Sequence, residues 1–215
     1  AVLVTRFFTE AGLGQVVDFM PPAGRTATDR HRIVRMVQCV RGRMTFEVEL
    51  APRFDYGRHP HRVEMTEQGA VFSADGRRLT LHVVREPDDE RLAEGVGDGD
   101  GRATLHLVAG QVRGVVLESA ADGPPREIRP AEVRALLDET VSFWRSWVAR
   151  STYTGRWRED VHRSAITLKL MTYAPSGGIV AAPTAGLPEQ IGGERNWDYR
   201  YTGVRDASFS VHALL

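Results

Sequence analysis

From Leu3 to about Leu117 the apolar positions recur with a period of two. The clearest stretch is Ile33 to Leu50, where Met44, Phe46, Val48 and Leu50 fall on one face and Thr45, Glu47 and Glu49 on the other. Upstream, Val34, Met36 and Gln38 alternate with Ile33, Arg35 and Val37, and Arg41-Gly42 stands between the two runs. Successive side chains of a strand point to opposite faces, so this pattern predicts a β-hairpin turning at Arg41-Gly42. Shorter strands are predicted at Arg62 to Met65, Ala70 to Phe72, Arg78 to Val84, Ala103 to Val108 and Val112 to Leu117. Turn chemistry separates them at Asp75-Gly76, at the acidic, glycine-rich Glu94 to Gly101 and at Gly110. Many short strands at this spacing predict an antiparallel β-sandwich over residues 1–119.

At about Ala120 the period changes. ADGPPREIRP reads as a linker, and Pro130 suits the first position of a helix carrying Val133, Leu136, Leu137, Val141, Trp144, Trp147 and Val148 at helical spacing. Residues 120–150 are thus a linker with its helix. A second helix is predicted over about Arg158 to Tyr173, stopped by Pro175 and Gly177-Gly178. A long irregular stretch, Gly177 to Thr202, precedes a third helical run from near Val204. Structureless segments of that length in a compact domain tend to be functional. The chain starts directly on the strand-like VLVTRFF and ends on the apolar SFSVHALL, and both ends read as cuts inside a longer protein.

Charge narrows the function classes. The 28 Lys+Arg balance 28 Asp+Glu, so no basic surplus points to nucleic acid or an anionic membrane. No apolar run approaches the ~18 residues of a membrane helix, and no signal-peptide pattern opens the chain. Cys39 is the single cysteine, which removes a disulfide framework and a cysteine-rich zinc site and fits a reducing cytoplasm. All basic residues but Lys169 are arginine, a mark of source rather than of function.

Several local features invite chemistry and have a plainer explanation. His59-Pro60-His61 lacks a third ligand nearby and reads as a surface loop. Asp98-Gly99-Asp100-Gly101 starts like a calcium loop, but its twelfth position is Ala109, so a polar hairpin turn is expected. Cys39 reads as a buried, inert thiol, and Trp144 and Trp147 as core packing. Asn196 to Asp206 is different. It gathers Trp197, Asp198, Tyr199, Arg200, Tyr201, Arg205 and Asp206 into a loop and a helix start. A carboxylate beside a guanidinium can grip two sugar hydroxyls, aromatic rings cover the C–H face of a pyranose, and a helix N-terminus favours the negative charge of Asp206. An Arg–Asp pair bracing the helix start explains the same spacing equally well.

Two strings carry a resemblance: RSAITLKLMTYAPSGGIVAAPTAGLPE (Arg163 to Glu189) and NWDYRYTGVRDASF (Asn196 to Phe209). Both resemble glycoside hydrolase family 15, the glucoamylase-like enzymes, in particular the bacterial branch that includes trehalases. VLVTRFFTEAGLGQVVDFMPP (Val2 to Pro22) is similar to the middle of that branch's N-terminal β-sandwich. The resemblance implies a sandwich joined by a helical linker to an (α/α)6 barrel, of which residues 151–215 would hold the first helices.

At the level of residues, the resemblance assigns Arg205 and Asp206 to hydrogen bonds with the non-reducing glucose and places Tyr199 beside the reacting centre. Trp197 and Tyr201 belong to the motif without a role. Gly203 stands where the family usually has a tryptophan lining the sugar pocket; losing that wall would cost on the order of 1–3 kcal/mol of binding. The implied activity is inverting hydrolysis of an α-glucosidic bond in trehalose or α-linked gluco-oligosaccharides, without metal or other cofactor. One carboxylic acid protonates the leaving oxygen and a second carboxylate activates water. In the family both are glutamates on later barrel helices, so no catalytic acid or base is expected before Leu215, and nothing in the resemblance supports Glu189 or Glu194 as substitutes. Two rivals stand beside this reading: a non-catalytic carbohydrate-binding module, and a decayed piece that self-associates through uncovered helix faces.

Overall fold

The computed structural model describes residues 1–23, 31–87, 93–97, 100–119, 123–184 and 186–215. The chain divides into two compact units, the second beginning at Phe143 within a helix.

The first unit holds nine described strands: β1 (Val2–Phe8), β2 (Gly12–Phe19), β3 (Arg32–Leu50), β4 (Arg62–Thr66), β5 (Gly69–Ala74), β6 (Arg77–Val84), β7 (Ala93–Gly97), β8 (Asp100–Val108) and β9 (Val112–Ser119). Neighbours run in the order β1-β2-β3-β9-β6-β5-β4, while β8 joins β3 to β7. All the strand pairs are antiparallel. This is the expected β-sandwich.

The predicted hairpin at Arg41-Gly42 is instead one bent strand. Gly42 sits at φ 71°, and a Cβ there would collide with the Ala11 carbonyl. Its left-handed backbone bends β3 without reversing it, and the two halves take different partners. Arg32–Gln38 pairs with β9, and Arg43–Leu50 with β8. The turn between β8 and β9 straddles the bend, with the Ala109 N–H donating to the Gly42 carbonyl at 2.9 Å and the Gly110 N–H to the Cys39 carbonyl at 2.9 Å. Alternation showed two strand-like runs around a glycine, which is also what a bent strand presents.

A second difference concerns the acidic Glu94 to Gly101 segment. Part of it is strand: Ala93–Gly97 pairs with β8, Gly97 opposite Asp100, with Asp98 and Gly99 outside the described residues. Asp100 is taken by Arg53, whose guanidinium bonds both carboxylate oxygens at 2.8 and 3.1 Å. Asp75-Gly76 forms the β5–β6 turn as expected, with positive φ at both residues, the geometry of a two-residue hairpin turn.

Strand alternation sends alternate residues into separate apolar clusters, one of them formed by Phe54, Ala70 and Phe72. Val37, Cys39, Met44, Leu105 and Leu107 pack between the sheets, and Cys39 is fully buried. Between them also lies an apolar cavity of about 40 Å³, lined in part by Leu50, Met65, Leu81, Val83, Leu105 and Val115. The opposite face carries Val34, Met36, Val84 and Val116, against which α1 (Pro130–Val148) lays Val133, Leu136 and Leu137. Pro130 begins α1, as expected. Glu132 reaches back to the Arg129 N–H at 2.9 Å, which holds its carboxyl below the usual range and caps the helix.

The linker is stitched to β6. Ile128 donates to the Val83 carbonyl at 2.9 Å, and the Arg126 N–H donates to His82 Nδ1 at 3.1 Å. With Nδ1 accepting, the His82 proton sits on Nε2, which faces the buried Glu118 at 3.4 Å.

The second unit contains the end of α1, α2 (Arg158–Leu170) and α3 (Val204–Leu214), with the irregular Gly177 to Thr202 stretch between the last two. α2 stops three residues before the expected Tyr173. No residue of α2 is buried, and Val204 and Phe209 on α3 are exposed.

Candidate functional site

The irregular stretch is built by backbone pairing and one asparagine. Thr172 and Ile179 form an antiparallel bridge, and the Val180 N–H donates to the Met171 carbonyl at 3.0 Å. Ala181 and Ala182 then donate to the carbonyls of Tyr201 (3.2 Å) and Tyr199 (2.9 Å). The segment after α2 and the one before α3 are thereby joined side by side. Asn196 closes the excursion between them. Its Nδ2 donates to the carbonyls of Gln190 (3.0 Å) and Gly193 (2.8 Å), and its Oδ1 accepts from the Gln190 N–H at 3.1 Å. A side-chain amide with both ends occupied fixes a turn that has little backbone pairing of its own.

This frame sets the candidate residues. Tyr199 donates its phenolic proton to Glu189 Oε1 at 2.5 Å, and that bond, with some burial, raises the phenol above its ordinary value. Arg205 Nε donates to Asp206 Oδ1 at 3.3 Å, both side chains on the exposed first turn of α3. Gly203 is the N-cap of α3, with extended backbone and no side-chain cap. Asp206 Oδ2 lies 2.7 Å from where a Cβ on Gly203 would stand, so the missing side chain is what lets the carboxylate lie back over the helix start. Trp197 and Tyr201 are exposed. The structure thus brings Arg205 to Asp206, and Tyr199 to Glu189 rather than to either of them.

Two partnerships escaped the sequence reading. Asp198 takes the Arg200 guanidinium on both oxygens, at 2.9 and 2.6 Å, and accepts the Arg200 N–H at 3.0 Å. These bonds lower its carboxyl to about 2. An acid two residues before an arginine was the available signal, and it matches local loop bracing. Glu189 was visible only as an unassigned acid, ten residues from its partner.

The remaining candidates are structural. His59 lies 3.6 Å from Asp55, and the His61 ring packs at 5.6 and 5.8 Å from Phe54 and Phe72. Among the described residues no group of three His, Cys, Asp or Glu could hold a metal ion. Trp144 and Trp147 meet edge to face at 6.0 Å but are only half-buried; Trp144 lines an open groove with His162 and Ile166 of α2. Among the described residues no helix is long and apolar enough to cross a membrane.

The model of the glycosyl hydrolases of family 15 matches residues 155–215, which hold α2, the braced loop and α3. The match places residues 155–215 in that family. A trehalase of Thermoplasma acidophilum is 32% identical over 99% of this chain and 36% of its own length. One of Mycolicibacterium smegmatis is 34% identical over 86% of this chain and 28% of its own length. Trehalase 1 of Sulfolobus acidocaldarius is 29% identical over 100% of this chain and 34% of its own length. The chain spans about a third of the length of these curated relatives. Matching over 99% of the chain also covers the sandwich, where the resemblance rested on Val2 to Pro22.

Proposed function

We propose that the protein carrying this chain hydrolyses the α-glucosidic bond of trehalose, and that residues 151–215 begin an (α/α)6 barrel and supply one wall of its glucose subsite. Residues 1–119 form the sandwich domain and 120–150 the linker and its helix. The observation that carries the reading is the Arg205–Asp206 pair, exposed at the start of α3 inside the family-matched segment. Its chemistry suits vicinal hydroxyls, since the guanidinium donates and the carboxylate accepts. Tyr199 adds an aromatic face and a polar tip to the same subsite. The relatives' shared name favours trehalose over α-linked gluco-oligosaccharides.

In the proposed reaction a carboxylic acid protonates the bridging oxygen as a carboxylate-activated water attacks the anomeric carbon from the opposite face, inverting it. We assign neither group to residues 1–215; Arg205 and Asp206 hold the glucose, and Tyr199 packs beside it. A cytoplasmic setting agrees with the single, buried thiol.

Replacing Asp206 by Asn in the full-length protein tests the subsite. A site built to bond hydroxyls penalises an unpaired group, so kcat/KM on trehalose is expected to fall at least ~10-fold with the fold intact. Unchanged kinetics would remove Asp206 from the subsite. A second reading, carbohydrate binding without catalysis, draws on Gly203, which offers no stacking surface; it is favoured if the folded full-length protein binds trehalose and releases no glucose.

A further inference from the structure

We propose that Glu189 is a positioning residue for the sugar subsite, acting through Tyr199. The inference rests on the placement of Tyr199 in that subsite and extends it to a residue with no assigned role.

The argument begins with the turn. Leu187 and Ile191, on either side of Glu189, are each 93% exposed, so apolar packing does not hold this segment in place. Polar bonds hold it instead. Asn196 bonds Gln190 twice and Gly193 once, the Gly193 N–H donates to the Gln190 carbonyl at 3.1 Å, and the Asn196 N–H donates to the Glu194 carbonyl at 3.0 Å. Gly192 supplies the left-handed residue, at φ 71°, that so tight a turn requires. Gln190 is the residue after Glu189, so the asparagine clamp fixes the acid's backbone. Tyr199 is fixed from the other side, where its carbonyl accepts the Ala182 N–H at 2.9 Å. The two anchored backbones present a carboxylate and a phenol to each other at 2.5 Å.

The consequence is directional. A free phenol rotates its O–H and can donate or accept. With its proton committed to Glu189, Tyr199 keeps only lone pairs for another partner, so it meets a sugar hydroxyl as an acceptor with its ring orientation set. The raised phenol value agrees with a proton held between the oxygens. This makes Glu189 useful without contact to substrate, and a residue of this kind has a distinctive signature: its effect vanishes when the hydroxyl it orients is gone.

The test is a double-mutant cycle in the full-length protein, with glucose release from trehalose as the readout, beside 13C NMR titration of the tyrosine Cζ signals. Glu189→Ala is expected to lower kcat/KM about 10-fold. Glu189→Gln, which keeps an acceptor oxygen, is expected to recover most of that loss. In a Tyr199→Phe background Glu189→Ala is expected to change kcat/KM by less than about twofold. The Tyr199 phenol is expected to titrate above the ordinary tyrosine value and to fall back towards it in Glu189→Gln. Equal effects of Glu189→Ala with and without the phenol would overturn the proposal, as would a Tyr199 titration indifferent to Glu189. If the folded wild type releases no glucose from trehalose, the functional reading fails, and the tyrosine titration alone decides whether Glu189 orients the phenol.

Discussion

At the level of single residues, the candidate site holds two acid–arginine pairs of different character. Arg205 and Asp206 hold each other at 3.3 Å in an exposed position, a bond that an incoming hydroxyl can replace at little cost. Asp198 holds Arg200 by bidentate bonds plus a backbone bond, so both of its carboxylate oxygens are already occupied. Their difference appears in the acid limb of the loop's stability. The Asp198 carboxyl is lowered from 3.8 to about 2, so its ionised form is favoured in the fold. Its contribution is complete above pH 4 and is lost as the pH falls through about 2. A carboxyl-detected NMR titration should therefore place the Asp198 midpoint near 2, and a midpoint near 4 would show that the Arg200 bonds do not persist in solution. Sequence reading singles out Arg205, Asp206 and Tyr199 as candidates because their order in the chain is itself the motif. It missed Glu189 because the partner lies across a turn, and nothing in the spacing of an acid and a tyrosine ten residues apart says that they meet.

For the elements, most were legible and their connections were not. The β4, β5, β6, β8 and β9 strands and all three helices lie where alternation, Pro130 and the glycine pair predict them. The exception at Gly42 has a physical source: a glycine with positive φ serves a turn and a bend alike, and only the partners of the flanking runs decide between them. The acidic segment preceding β8 misled for a similar reason, since glycine and acids suppress strand propensity while β8 supplies a partner that overrides it. The bend is demanding. In Gly42→Ala the new Cβ meets the Ala11 carbonyl in a backbone region that L residues avoid, so the strand must shift. Equilibrium unfolding in urea should show a loss of about 2 kcal/mol or more, whereas a change under ~0.5 kcal/mol would mean that β3 can bend without glycine.

Across the whole molecule, the two units bury their apolar residues to different degrees. The sandwich fills both faces of its central strands, with Val34, Val84 and Val116 fully or almost fully buried. The second unit leaves Val204 and Phe209 on α3 and Trp157 and Tyr173 beside the ends of α2 more than half exposed, all within the segment that the family model matches. Exposed apolar side chains of this kind call for a cover, and further barrel helices are the cover that the proposed architecture supplies. The account therefore stands or falls on the full-length protein, where subsite, acid and base would meet. Its most direct test is to incubate that protein with trehalose and follow the released anomers by 1H NMR before mutarotation sets in. Inverting hydrolysis of an α,α-linked disaccharide predicts one β-glucose from the attacked ring and one α-glucose from the leaving ring, in equal initial amounts. Release of α-glucose alone would contradict inversion, and a folded protein that releases no glucose would contradict the hydrolase reading itself.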